Sequence, residues 1–93
     1  MDEFLLWEGK ANLKIGVIKL AGNLKITNKK IEFTSSSRKI EIAMNVVKNV
    51  EIVKKFIRRI KIETKEKQYL FFVPHPENVV NLIKKFSTKY TVE

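Results

Sequence analysis

The stretch AGNLKITNKKIEFTSSS, residues 21–37, decides the fold class of this chain. Leu24 and Ile26 alternate with polar residues, a polar break follows at residues 28–30, and Ile31 and Phe33 alternate with polar residues again. Successive side chains of a β-strand point to opposite faces, so this alternation indicates strands with one buried face. Two such runs joined by a short polar segment predict a β-hairpin.

Five further strand-like runs surround this hairpin and bring the predicted total to about seven. They cover residues 10–20, 39–43, 46–53, 57–64 and 68–73. In the first run, the apolar residues from Ala11 to Val17 share one face. In the third run, the alternation places Val46 on the same face as Val50 and Ile52. The last run is apolar on both faces, so we expect it at the centre of the sheet or under a cover.

A different periodicity near the C-terminus predicts a helix over residues 76–90. Pro76 stands where a first helical turn accepts proline. Apolar residues then recur at spacings of three and four, as on one stripe of an amphipathic helix: Val79, Ile83, Phe86 and Tyr90. So short a helix is marginal alone, so we expect it to dock on the sheet. The predicted fold class is mainly β, an antiparallel barrel or sandwich of about seven strands capped by one C-terminal amphipathic helix.

Length and composition limit the class of protein. A chain of 93 residues fits one domain, and the absence of cysteine excludes disulfides and thiolate metal sites. No apolar run approaches the roughly 20 residues of a membrane span. The N-terminus lacks the basic start and long apolar centre of a secretory signal. We therefore expect a single soluble, cytoplasmic domain over residues 1–93.

The charge balance is strongly basic. The chain has 19 Lys and Arg against 10 Asp and Glu, a net charge of +9. Such an excess favours anionic partners, namely nucleic acid, acidic lipid or acidic protein segments. A compositional bias toward lysine, from the genome or from a hot habitat, is the alternative explanation. High temperature usually raises Glu together with Lys, and here Glu does not keep pace.

No group of residues has the spacing of a catalytic or metal site. His75 lies between two prolines without partners at ligand or general-base spacing, so we interpret it as a helix-entry residue. The acidic residues form no recognisable pair, and phosphate-binding, nucleophile-elbow and dinucleotide motifs are absent. We therefore predict a protein that is not an enzyme and that uses no cofactor or metal.

The densest basic segment is KKFIRRIK, residues 54–61. We expect Lys54 and Lys55 at a turn between two strands, with Phe56 near its tip. Arg58 is expected at a rim, because a buried unpaired arginine is costly, and Arg59 is expected to point outward. An apolar tip ringed by cations suits an anionic membrane surface, where each cation contributes about 1 kcal/mol. The alternative is a solvated hairpin whose Phe56 folds onto the core.

A second basic patch surrounds the hairpin of residues 21–37. Its members are Lys25, Lys29, Lys30, Arg38 and Lys39. This patch is a candidate anion contact. The alternative is a solvated turn whose lysines protect an edge strand from unwanted pairing.

The order of these segments resembles the pleckstrin-homology (PH) superfold, and more closely its GRAM and bacterial PH-like branch. The matching segments span residues 7–86 and read WEGK, GNLKITNKKIEF, NVVKNVEI, IKIETKEKQYLFFV and ENVVNLIKKF. The resemblance implies a non-catalytic module that binds lipid headgroups, membrane surfaces or other proteins. In phosphoinositide-binding members the basic first hairpin ends in an arginine motif. Lys14 and Lys19 lie near that region without such an arginine, so specific phosphoinositide recognition is not expected.

We predict an interaction module that binds an anionic membrane surface or an acidic protein partner through a basic face, in the cytoplasm and at the periphery of a membrane. Two alternatives stay open. A small nucleic-acid-binding protein would pair phosphates with its cations and stack bases on Phe56, Tyr69 or Tyr90. A structural domain would form homo-oligomers through an edge strand or an exposed aromatic residue.

Overall fold

The computed structural model describes residues 2–54 and 57–87. Within them the chain forms seven antiparallel strands, a one-turn 3-10 helix and one α-helix. The elements are β1 (Leu5–Ile15), β2 (Ile18–Thr27), β3 (Lys30–Ser35), β4 (Lys39–Ala43), the 3-10 turn (Met44–Val46), β5 (Asn49–Val53), β6 (Arg59–Glu63), β7 (Gln68–Phe72) and α1 (Pro76–Phe86). Hydrogen bonds join the strands in the order β4-β3-β2-β1-β7-β6-β5. The predicted fold class is confirmed.

The hairpin of β2 and β3 forms as the sequence predicts. Leu24 pairs with Phe33 and Ile26 with Ile31, and all four side chains are buried. The Thr27 hydroxyl closes the turn by accepting hydrogen bonds from two turn amides, at 3.1 Å each. Side-chain hydroxyls at turns commonly satisfy backbone groups in this way.

The prediction of one strand over residues 10–20 was wrong, because the chain reverses in the middle of that run. Gly16 has a φ of +58°, and Val17 beside it is 94% exposed instead of sharing the buried face. A glycine with positive φ at the first central position is typical of the two-residue turns that join tightly paired strands. β1 and β2 therefore form a long hairpin that pairs from Ile15 and Ile18 back to the N-terminal end of β1.

The predicted parity of residues 46–53 was also wrong at its start. Val46 belongs to the 3-10 turn and is 48% exposed, whereas its neighbour Val47 is buried. β5 begins only at Asn49, after which Val50 points into the core. A 3-10 turn repeats every three residues, so it interrupts the period of two that the alternation assumed.

β7 occupies the central position that its apolar sequence predicts, between β1 and β6. Tyr69 and Phe71 are buried in the core, and Leu70 and Phe72 are half-buried on the opposite face. That opposite face, which we call the outer face of the sheet, carries the surface described below.

The helix α1 packs on β5 and β6. Its buried stripe consists of Val79, Val80 and Ile83, which join the core formed by the strands. Tyr90, which the periodicity adds to this stripe, lies outside the described residues. Among the residues that the structure covers, no helix has the length and apolarity needed to cross a bilayer.

Candidate anion-binding surface

The outer face of β1, β2, β6 and β7 carries the residues that alternate with the core. Leu13 of β1 pairs with Phe71 of β7 inside the molecule. On either side of that pair, Lys14 lies opposite Leu70 and Asn12 lies opposite Phe72. The pleat therefore brings polar and cationic side chains of β1 next to half-buried apolar side chains of β7.

An open groove of about 510 Å³ crosses this outer face. Its lining combines apolar side chains with three cations, and none of the described residues that line it is acidic: Asn12, Leu13, Lys14, Lys19, Leu20, Ala21, Ile57, Arg59 and Phe72. We call it the cationic groove. Like charges without a counter-charge raise the local positive potential, so the groove attracts anions.

Arg59, the first residue of β6, is the most constrained of the three cations. Its guanidinium carbon lies 5.8 Å from the centroid of the Phe72 ring, within the range of a cation–π contact. Its Nε atom is buried and has no hydrogen-bond partner among residues 2–54 and 57–87. A buried donor without an acceptor costs free energy, and an anion in the groove would offset that cost.

Lys14 and Lys19 supply the other two charges from the β1–β2 hairpin. They lie directly opposite each other in the antiparallel register, an arrangement that destabilises a sheet when the charges are alike. Neither forms an ion pair within the described part of the chain. The hairpin then ends in the exposed side chains of Val17 and Ile18. The arrangement therefore places two cations of the cationic groove next to an apolar tip.

The predicted segment of residues 54–61 contributes only in part to this surface. Arg59 lines the groove, and Ile57, which is 65% exposed, forms one of its walls. Arg58 instead forms an ion pair with Glu77 in the first turn of α1. Lys54 is exposed next to the end of β5. Lys55 and Phe56 lie outside the described residues.

Two members of the second basic patch, Lys30 and Lys39, form ion pairs with carboxylates of the sheet. Lys39 lies 2.8 Å from a carboxylate oxygen of Glu32 and 3.3 Å from one of Glu41, and Lys30 also lies 3.3 Å from Glu41. The hydrogen bond from Lys39 lowers the pKa of both carboxyl groups below their ordinary value. The same contacts, led by that with Glu32, raise the pKa of Lys39.

The remaining members of that patch do not form a common site. Lys25 is half-buried and lies between Glu8 and Glu32 of the two neighbouring strands. Lys29 and Arg38 are exposed in the turns that precede β3 and β4. The structure therefore brings together Lys14, Lys19 and Arg59, and it separates the members of the second basic patch.

The cationic groove has features that the sequence pattern did not indicate. The alternation places Val17 on the buried face and gives no sign of the tip of the β1–β2 hairpin. The signal that locates the tip is Gly16, because a lone glycine in an alternating run marks a break. The sequence pattern identifies Phe72 only as part of a covered strand, because no local pattern shows that Arg59 lies above it.

Tyr69 is not accessible for stacking on a base. It is 8% exposed, and its ring stacks against that of Phe71 inside the core. Burial raises the pKa of its hydroxyl. In the part of the chain that the structure describes, no group of three or more metal-ligating side chains occurs.

Comparison with known proteins rests on structure alone, since no family model and no curated protein matches the chain. The N-terminal PH domain of Vps36 superimposes with a TM-score of 0.68 at 12% identity, over 90% of this chain and 76% of that one. This is a PH-like fold. The C-terminal domain of an unknown protein from Leishmania infantum superimposes on the PH-like domain with a TM-score of 0.70 at 20% identity, over 90% and 84% of the two chains. At such identities the likeness is one of fold, and a fold does not assign a ligand.

Proposed function

We propose that this PH-like domain is a non-catalytic interaction module that binds anionic membrane surfaces through the cationic groove and the adjoining tip of the β1–β2 hairpin. The observation that carries the proposal is the lining of the groove, where Lys14, Lys19 and Arg59 meet no carboxylate from residues 2–54 and 57–87. Elsewhere on the sheet, carboxylates lie within ion-pair distance of cations such as Lys39 and Lys61. A cluster of cations that makes no internal ion pair is available to an external anion.

A membrane fits this surface better than a soluble anion because the cations lie beside exposed apolar side chains. Val17 is 94% exposed and Ile57 is 65% exposed. At a bilayer such side chains enter the interface, and each neighbouring cation contributes about 1 kcal/mol near anionic headgroups. Lys54, Lys55 and Phe56 precede Ile57 in sequence, and we include them in the proposed contact.

The same proposal covers subfamily and location. The segment GNLKITNKKIEF, one of the segments that resemble the GRAM and bacterial PH-like branch, forms the hairpin of β2 and β3. We propose that the domain belongs to this branch and acts in the cytoplasm, peripherally at a membrane.

Vesicle co-sedimentation tests the proposal with variants of equal charge. The wild type is expected to bind phosphatidylserine-containing vesicles at low salt and to leave pure phosphatidylcholine vesicles unbound. Lys14→Glu/Lys19→Glu is expected to abolish binding. Lys29→Glu/Arg38→Glu changes the net charge by the same amount at exposed turns outside the groove, and this variant is expected to retain vesicle binding. Val17→Ser is expected to weaken binding without lowering the melting temperature, because its side chain makes little contact in the folded domain.

Three outcomes would contradict the proposal. Equal losses in the two double variants would show that net charge alone drives binding. Binding to a short DNA or RNA with a steep dependence on salt, without vesicle binding, would favour the nucleic-acid alternative. Binding to an acidic peptide alone would favour a protein partner.

A further inference from the structure

We infer that the cationic groove holds one molecule of an anionic amphiphile, with the anionic headgroup at Lys14, Lys19 and Arg59 and a single alkyl chain along the outer face of the sheet. The inference rests on the proposed function, since it names the ligand class of the same groove. The new claim is that the groove binds a single amphiphile molecule, its alkyl chain included, in addition to contacting a charged membrane surface.

The groove has the size and continuity that a chain needs. A second depression of about 460 Å³ adjoins the first. The two share Asn12, Ala21, Ile57 and Phe72, so they form one path across the strands. Each has the volume of a small-molecule site, which is usually some 300–1,000 Å³.

Three of the four residues that the two depressions share are apolar, and the fourth is Asn12. Phe72 is half-buried, Ala21 presents only a methyl group, and Ile57 stands as a wall with 65% of its surface exposed. A headgroup bound alone would leave Phe72 and Ile57 in contact with water. An alkyl chain laid between them removes apolar surface from water, which is favourable.

The charges are concentrated toward one part of the path. Lys14, Lys19 and Arg59 line the first depression. The second depression is lined by Arg58, whose guanidinium pairs with Glu77, and by Lys10. The first depression therefore offers the stronger headgroup site, and the Nε–H of Arg59, which has no acceptor in the described part of the chain, provides a donor there.

An extended peptide suits this surface less well than an alkyl chain. Residues 12–14 of β1 pair with β2 on one side and with β7 on the other, so their backbone groups below the groove are already used within the sheet. A peptide that lay across them would bury its own amide groups without partners, which is costly. A hydrocarbon chain has no such groups.

Titration with octyl phosphate below its critical micelle concentration tests the inference, with amide NMR shifts as the readout. We expect saturable binding to one site, with the largest shifts at Asn12, Ala21 and Arg59. The affinity is expected to exceed that of inorganic phosphate by at least about tenfold, because burial of two methylene groups already corresponds to that factor. Octyl glucoside, which has the chain without the charge, is expected to bind weakly. Equal affinities for octyl phosphate and inorganic phosphate would overturn the inference.

A pair of matched substitutions locates the chain. Ala21→Phe fills the floor of the groove and is expected to weaken octyl phosphate binding by at least about tenfold, because it occupies the space of several methylene groups. Thr34→Phe adds the same side chain at an exposed position of β3 outside the groove and is expected to change affinity by less than about twofold. Circular dichroism melts report whether both variants fold. If Ala21→Phe does not fold, the smaller Ala21→Leu substitution serves the same purpose. An unchanged affinity in a folded groove-filling variant would contradict the inference.

The failure of the inference and the failure of the proposed function have different signatures. Vesicle binding that depends on Lys14 and Lys19, without saturable octyl phosphate binding, would overturn the inference alone. Saturable octyl phosphate binding without vesicle binding would overturn the proposed function and leave a site for a soluble amphiphile.

Discussion

The guanidinium carbon of Arg59 lies 5.8 Å from the centroid of the Phe72 ring, on the outer face of the sheet. The contact joins β6 to β7 and holds a cation at the groove that Lys14 and Lys19 also line. The Nε atom of Arg59 is also buried and has no acceptor among residues 2–54 and 57–87. The pairing therefore makes Arg59 a better anion ligand than an arginine that is free in solvent.

Substitution of Arg59 by methionine should separate binding from stability. Arg59→Met keeps an unbranched chain over Phe72 and removes the charge. We expect binding to anionic vesicles to weaken by roughly fivefold, the equivalent of about 1 kcal/mol for one cation, with no loss of thermal stability. Arg38→Met, at an exposed turn, is the control and should bind as the wild type does. A loss of the same size in both variants would show that Arg59 has no special role.

Gly22 should tolerate no side chain. A Cβ atom at this position would lie 2.1 Å from the backbone oxygen of Thr34 in β3, a distance that real Cβ atoms do not show. Gly22→Ala must therefore push β2 and β3 apart, and we expect a loss of about 2 kcal/mol or more in the free energy of unfolding, measured in urea.

Gly16→Ala is the matched control for that substitution. Gly16 has open space around it, and its substitution costs only the strain of a positive φ, about 1 kcal/mol. A cost at Gly22 that does not exceed the cost at Gly16 would contradict the close approach of β2 and β3.

His75 should be replaceable by glycine with a gain in stability. Its φ is 53°, in the left-handed region, and its side chain does not cap α1. Glycine removes a steric cost of about 1–2 kcal/mol from the folded state. It also raises the entropy of the unfolded chain, which lowers stability by about 0.4–1 kcal/mol. We therefore expect a small net gain in stability for His75→Gly. His75→Val, with a branched side chain at the same φ, should lose stability. Thermal melts of the two variants check the prediction, and the reverse order would refute it.

Acid should weaken the domain through carboxylates that pair across strands. Lys39 lowers the pKa of Glu32 and Glu41, and Lys61 lowers the pKa of Glu51. A carboxyl group with a lowered folded-state pKa contributes stability that is fully present above its unfolded pKa of about 4.3. That contribution is lost as the pH falls through the lower folded value.

Melting temperatures between neutral pH and pH values below about 4 measure this effect. Glu32→Gln should reduce the acid-dependent part of the fall, because it removes one of the paired carboxylates. Glu66→Gln, at a carboxylate that forms no ion pair within residues 2–54 and 57–87, should leave the fall unchanged. A wild-type melting temperature that stays constant through this range would contradict the role of the pairs.

The sequence predicts those parts of the fold whose pattern is local. The alternation of Leu24 and Ile26 with polar residues, and of Ile31 and Phe33, is determined by the pleat, so the hairpin of β2 and β3 could be read directly. Prediction from the sequence fails where the chain departs from the two-residue alternation of a strand. Gly16 and Val17 reverse the chain, and the 3-10 turn shifts the parity before β5; in both places the apolar residues alone look like a continuing strand.

The site was less predictable than the fold because it is assembled from distant segments. Lys14 and Lys19 belong to the first hairpin, and Arg59 begins β6. Only the antiparallel order β2-β1-β7-β6 brings them to one face. A count of neighbouring basic residues instead selects residues 54–61 and the second basic patch. It cannot show that Arg58 pairs with Glu77, because that contact depends on where α1 docks.

Paramagnetic relaxation in bicelles shows which residues lie at the lipid headgroups when the domain binds a membrane. With phosphatidylserine bicelles that carry a spin label on the lipid headgroup, we predict the strongest broadening of amide signals at Val17, Lys19 and Ile57. We predict little broadening at Lys29 and Arg38. Strong broadening at those two residues, or none anywhere in the protein, would contradict the proposed membrane contact.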